Sequence, residues 1–259
     1  MVAEDLGGEV TNIDVMIDVG SRVETPNVNG IASFAGNLSL NPYSSEIDAI
    51  GGKMSVTVGR EQSVFSASVL SKDVPKAMNI ISKAINTTPD SDYVNKYRTM
   101  RENYVAETTS DYRSTILDQL HETAYLSTPL GANPLGTPET ISGLSKGDID
   151  DFKAKYYTSD RMVVSASGAV DSGALQSIVE KELGDVKAPS GSVDSAIVPS
   201  IFTGSDKRIR YDSHGTALVA LGFETQGSNS SDAMTYKLMT KILGEWDASG
   251  PIGNNSSFK

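Results

Sequence analysis

No cysteine occurs in the 259 residues, which excludes disulfides and thiolate metal sites. Histidine is almost as scarce. The two present, His121 and His214, are a poor supply for a metalloenzyme, because imidazole is the commonest metal ligand. Long apolar runs are missing too: the longest, residues 217–223, is far shorter than the roughly 20 residues a membrane-spanning helix needs. Positive charge is in deficit, with 22 Lys and Arg against 33 Asp and Glu, a net charge of −11. No basic patch stands out, so no nucleic-acid partner is expected; an acidic surface at most favours basic partners. The opening Met1-Val2-Ala3-Glu4-Asp5 reads as neither a signal peptide nor an Arg-rich transit peptide. Any association with a membrane is therefore expected through other subunits rather than a direct span.

What is present is ordinary globular material. Apolar residues make up 38% and charged residues 21%, enough of the first and few enough of the second to argue against disorder. Residues 11–19 alternate, with Ile13, Val15, Ile17 and Val19 on one face of a strand. From Gly30 the period changes: Ile31, Phe34 and Leu38 fall on one helical face, and a short helix follows over 45–50. Met54, Val56 and Val58, then Phe65, Ala67 and Val69, alternate as two strands about a turn near residues 60–62. Asp73 stands at a helix N-cap position with Pro75 in the first turn, before a stripe of Val74, Ala77, Met78, Ile81, Ala84 and Ile85. One long helix is expected over 91–125, then a helix over 146–156, a strand over 162–169 and a helix over 172–183.

Residues 187–200, rich in Ala, Pro, Ser and Gly, read as a linker. Beyond it strands are expected at 208–211 and 216–223, a polar loop at 227–232 and a helix at 234–243. Strand, polar loop and helix also open the chain, a hint of internal duplication. The organisation expected is a domain over residues 1–187, a linker over 188–205, and the start of a second, incomplete domain over 206–259, in a piece of a longer chain.

Several stretches together carry a family resemblance. Asp18-Val19-Gly20-Ser21-Arg22-Val23-Glu24 is followed by Asn29-Gly30-Ile31-Ala32-Ser33-Phe34-Ala35-Gly36-Asn37. Gly51-Gly52-Lys53-Met54-Ser55-Val56-Thr57-Val58-Gly59-Arg60-Glu61-Gln62 and Leu70-Ser71-Lys72-Asp73-Val74-Pro75-Lys76-Ala77 come next. Leu120-His121-Glu122-Thr123-Ala124-Tyr125, Thr128-Pro129-Leu130-Gly131, Gly136, Tyr156-Tyr157-Thr158 and Arg161-Met162-Val163-Val164 complete the series. In this order they resemble the pitrilysin metallopeptidases. More narrowly they resemble the mitochondrial branch, which holds the processing-peptidase beta subunit and the core proteins of ubiquinol–cytochrome c reductase (complex III). The resemblance spans nearly the whole chain. It implies an α+β fold, a mixed and largely antiparallel sheet with packed helices, duplicated in the full-length protein.

Active members carry His-x-x-Glu-His on the helix after the first strand. Residues i and i+4 share a helical face, so two histidines hold one zinc and the glutamate between them acts as general base. Here those positions are Ser33, Gly36 and Asn37, and the third ligand's position aligns at Tyr104, with Glu102 and Glu107 nearby. Serine and asparagine are weak substitutes for imidazole. The resemblance therefore implies a protein without catalytic residues, metal or cofactor. It implies a peripheral, matrix-side core subunit of complex III on the mitochondrial inner membrane. Its partners would be a homologous second core subunit and other complex III subunits, membrane-embedded ones included. The alternative is a subunit of a presequence-processing peptidase heterodimer; a non-catalytic member of a plastid or bacterial pair is a third option.

Other chemistry is weaker. His121-Glu122-Thr123-Ala124-Tyr125 approaches His-Glu-x-x-His, but Tyr125 replaces the second ligand. A packed, hydrogen-bonded His121 beside a buried stripe of Leu117, Leu120 and Ala124 is the plainer expectation, and His214 reads as surface. Ser33 with His121 lacks the surroundings of a hydrolase nucleophile. Gly30, Gly36, Gly51 and Gly52 suit turns and close packing and form no phosphate-binding pattern. The stretch from Gly250 to Ser257 resembles the short Gly-rich stretch of beta-type subunits.

Overall fold

The computed structural model describes residues 2–5, 8–108, 111–186, 200–210, 215, 217–227 and 229–243. Five strands form one mixed sheet: β1 (Val2–Asp5), β2 (Val10–Ile17), β3 (Lys53–Val58), β4 (Ser63–Leu70) and β5 (Met162–Gly168). Their order is β1-β5-β2-β4-β3, antiparallel except for the parallel β1–β5 pair. The period-2 pattern fixes the faces. Ile13, Val15 and Ile17 are wholly buried, and Phe65, Ala67, Val69, Val164 and Ala166 lie with them. The opposite face is polar, where the ladder aligns Asn12 with Ser68 and Lys53, and Asp14 with Ser66 and Ser55.

Helices α1 (Ile31–Leu40), α2 (Ser44–Ala49) and α3 (Val74–Asn86) pack on the sheet, and α4 (Ser91–Thr108) packs against α1. After them come α5 (Tyr112–Ala124), α6 (Pro138–Gly143), α7 (Lys146–Tyr156) and α8 (Ser172–Leu183). Every residue of the expected α3 stripe is buried. Asp73 is the residue before α3, but its side chain makes no cap; it accepts from Lys76 instead, at 2.8 Å. Capping boxes open α6 (Thr137 with Thr140) and α7 (Ser145 with Asp148), and Asp171 caps α8. Lys153 of α7 ties three helices together. Its buried ammonium donates to Ser39 Oγ (3.0 Å), Ala84 O (2.8 Å) and Thr87 O (2.6 Å), and burial pushes its pKa down to about 7.

The single helix expected over 91–125 is two. Asp111 lies outside both, and its carboxylate accepts from Ser114 N at 3.1 Å, the geometry of a new helix start. The expected buried stripe on α5 is not there: Leu117 is 52% exposed. The cover over this helix is partial, made by residues 200–207. Thr203 N donates to Ala124 O (2.7 Å), Ser205 Oγ to Thr123 O (3.0 Å), Lys207 pairs with Glu122 (3.0 Å), and Phe202 meets the edge of Tyr125.

Contacts divide the chain into units of residues 1–220 and 221–259. The first holds the sheet and α1–α8. The second holds α9 (Ala233–Leu243), where Met234, Leu238 and Ile242 stay more than 60% exposed. The strands expected at 208–211 and 216–223 do not form in their described residues. A strand needs a neighbour's hydrogen bonds, and none among the described residues supplies them; Val219, Leu221 and Phe223 remain about 80% exposed. The linker residues 187–199, His214 and the Gly-rich stretch near the end lie outside the described residues.

Candidate functional site

The start of α1 explains how the motif positions are held. Gly30 precedes the helix with φ +93°, a left-handed value, and a Cβ there would meet Gly136 Cα and Leu135 O at 2.8 Å. Gly30 has no side chain to cap the first turn, and Glu24 does so from outside the helix. One carboxylate oxygen accepts from Gly30 N (2.8 Å) and Asn29 Nδ2 (2.9 Å), the other from Ala32 N (2.8 Å). Glu24 is itself buried, and that burial pushes its pKa up to about 7 against the pull of those three donors.

One turn on, Phe34 packs edge-on against Tyr97 of α4, ring centroids 5.2 Å apart, which sets α4 beside α1. Ser33 and Arg101 then meet. Arg101 Nη2 donates to Ser33 Oγ at 2.6 Å, and both residues are buried. The guanidinium carbon lies 4.8 Å from the centre of the Tyr104 ring, a cation–π contact. Tyr104 itself is half exposed. Asn37 turns its amide back on its own helix, donating to Ser33 O at 2.8 Å. It borders an open groove of about 960 Å³ between α1, α2 and the sheet, lined also by Asn12, Asp14, Asp48 and Lys53.

Gly36 is closed off. A Cβ at this position would lie 2.9 Å from Val58 Cγ2 and 3.2 Å from Val56 Cγ1. Tyr157 Oη stands 3.7 Å from the same point, buried without a hydrogen-bond partner, and burial pushes its pKa up.

The structure thus brings Ser33, Gly36 and Asn37 onto one helix and reaches Tyr104 only through Arg101. No hydrogen bond or ion pair among the described residues joins Glu102 or Glu107 to α1. This donor set does not suit zinc: a hydroxyl already bound to a guanidinium, a backbone without side chain, an amide and an exposed phenol. A fixed positive charge also lies against Ser33. Among the described residues, no group of three or more His, Asp or Glu is arranged to hold a metal. His121 is half-buried, and its Nδ1 is 2.9 Å from Leu117 O, a local helical contact.

Sequence reading missed Glu24, Arg101 and Lys153. Arg101 and Lys153 look like solvated charges on helices. Glu24 left one trace: a helix opening at glycine with no Ser, Thr, Asp or Asn cap needs its donors satisfied from elsewhere.

The family model described as "Insulinase (Peptidase family M16)" matches residues 1–138, and that described as "Peptidase M16 inactive domain" matches 143–257. The chain belongs to peptidase family M16. This M16 chain is 33% identical to the mitochondrial-processing peptidase subunit beta of Blastocladiella emersonii, over 95% of its own length and 54% of the relative's. It is 29% identical to cytochrome b-c1 complex subunit 1, mitochondrial, of Mus musculus, over 95% and 54%. Among solved structures it matches a chain of complex III2 from Candida albicans with a TM-score of 0.78, at 22% identity, covering 96% of this chain and 59% of that one. The chain spans about half the length of these curated relatives. The α+β fold with a largely antiparallel sheet is that of the family. The "inactive domain" description concerns residues 143–257, whereas residues 33–37 lie in the first match.

Proposed function

We propose that the chain is part of a non-catalytic core subunit of mitochondrial complex III, a scaffold on the matrix side of the inner membrane. The observation that carries this reading is the buried Arg101–Ser33 bond, with Gly36 packed against Val58: on this reading neither position supplies a zinc ligand or a base. A catalytic zinc takes three protein ligands and an open position for water, and this site offers neither. The likeness to cytochrome b-c1 complex subunit 1 supports the choice of assembly. Its partners on this reading are a homologous core subunit and membrane-embedded subunits. Among the described residues no helix is long and apolar enough to cross a membrane, which fits peripheral attachment. We also propose the domain plan of residues 1–187, a linker over 188–205 and the opening of a second M16 domain over 206–259.

A second reading has its own support. The processing-peptidase beta subunits match at 28–33% identity, a range that includes the 29% of the complex III relative. The chain would then be a subunit of a presequence-cleaving heterodimer whose catalysis lies elsewhere. Purification of the full-length protein from detergent-solubilised mitochondrial membranes separates the two. Co-migration with b- and c-type cytochrome absorbance supports the core subunit. Co-migration with presequence cleavage and no cytochrome supports the peptidase, and a soluble monomer contradicts both.

A further inference from the structure

The fold buries the charged side chains of Glu24, Arg101 and Lys153. Lys153 and Glu24 are buried but fully bonded. Arg101 differs. A guanidinium has five N–H donors, and among the described residues only one is bonded, to Ser33. Its Nε is buried with no acceptor. No Asp or Glu among the described residues pairs with it, although the chain carries 11 more acidic than basic residues. Buried charges are ordinarily paired, since an isolated one is costly. The neutral partners here, a hydroxyl and the Tyr104 ring, do not balance the charge.

We propose that Arg101, Ser33 and Tyr104 form a binding site for a carboxylate group. The planar edge of a guanidinium matches a carboxylate in two parallel hydrogen bonds. Ser33 Oγ accepts from Arg101, which leaves its own hydrogen to donate to a ligand oxygen. One buried positive charge balances one negative charge, which selects a carboxylate over a phosphate dianion. Tyr104, half exposed, lies against the guanidinium and forms one wall of the site. The carboxylate comes either from a free small acid or from an acidic side chain in a peptide. The site does not depend on the assembly to which the protein belongs.

The test is an NMR titration of the full chain with ¹⁵N-labelled arginine, reading the Arg101 Nε–H signal assigned through Arg101→Lys. The probes are sodium acetate, acetyl-Ala-Glu-Ala-amide, acetyl-Ala-Gln-Ala-amide and inorganic phosphate. The Glu peptide or acetate should shift the Arg101 signal saturably, and the Gln peptide should not. Tighter binding of the Glu peptide assigns the site to acidic peptides; equal or tighter binding of acetate assigns it to small acids. Ser33→Ala keeps the guanidinium and removes one donor, and it should weaken binding about tenfold. A flat Arg101 signal, an equal response to the Gln peptide, or tighter binding of phosphate than of either carboxylate overturns the proposal. The readout is binding by this chain alone, so its failure leaves the scaffold reading standing, and the reverse.

Discussion

Arg101 of α4 reaches across to α1 and donates a 2.6 Å hydrogen bond to Ser33, with both residues buried. A hydrogen bond to a charged group contributes about 1.5–3 kcal/mol, and leaving that group unpaired costs more than a neutral one. Ser33→Ala should therefore lower unfolding stability by about 2 kcal/mol. Urea unfolding should show a lower midpoint with an unchanged slope. A midpoint within error of the parent would mean that the bond does not hold α1 to α4.

Gly36 gives a second test. Gly36→Ala puts a methyl 2.9 Å from Val58 Cγ2, and overpacking of this kind costs about 1–3 kcal/mol. Val58→Ala should recover most of that loss in the double variant, because it removes the atom in contact. Independent, additive losses would show that the crowding lies elsewhere.

The same crowding bears on revival of catalysis. Ser33→His, Gly36→Glu and Asn37→His together restore the i, i+4 ligand pair and the base in sequence. The glutamate still meets Val56 and Val58, and Arg101 still places a positive charge against residue 33. The triple variant should not cleave a presequence peptide, even beside an active partner subunit. Cleavage by the triple variant alone would show that a third ligand is already in place on α4.

Glu24 should leave a mark on stability between pH 4.5 and 7. Its pKa rises on folding from 4.5 to about 7, so the folded state holds the extra proton in that window. Stability is then fullest below pH 4.5 and falls as pH rises through 7, by about 3 kcal/mol at about 1.4 kcal/mol per unit. Glu24→Gln, which cannot titrate, should flatten that decline. A parent whose stability rises over the same window relative to the variant would contradict the assignment.

Lys153 should act in the opposite sense at higher pH. Its pKa falls on folding from 10.5 to about 7, so the unfolded state binds more protons between those values and stability rises across them. Lys153→Met removes the rise. It also leaves Ala84 O and Thr87 O without their Lys153 Nζ donor, so the variant should be less stable than the parent at pH 10. Thermal unfolding across pH 7–10.5 checks both.

Strongly periodic elements were readable from residues alone. β2, β4, α3, α7 and α8 each bury one face on a sheet or helix period, and that period is local. β1 was not readable, because its four residues are defined by parallel pairing to β5, more than 150 residues away. α6 was missed although Thr137-Pro138 is a helix-start signal, because only six residues follow before the helix ends. The strands expected near residues 208 and 218 have the right pattern but no ladder partner. At the site, Ser33, Gly36 and Asn37 could be named by resemblance, since the motif is contiguous. The charge that meets Ser33 could not. Arg101 is one charged residue among many on α4, and it meets Ser33 only once α4 packs against α1, where Tyr97 touches Phe34.

We propose that a guanidinium, not zinc, occupies the α1–α4 site. The most direct measurement is the zinc content of the full-length protein purified without chelators, alongside its Arg101→Ala and Ser33→Ala variants. The account predicts zinc far below one equivalent in all three. About one zinc per chain in the parent, lost when Ser33 is replaced by alanine, would contradict it.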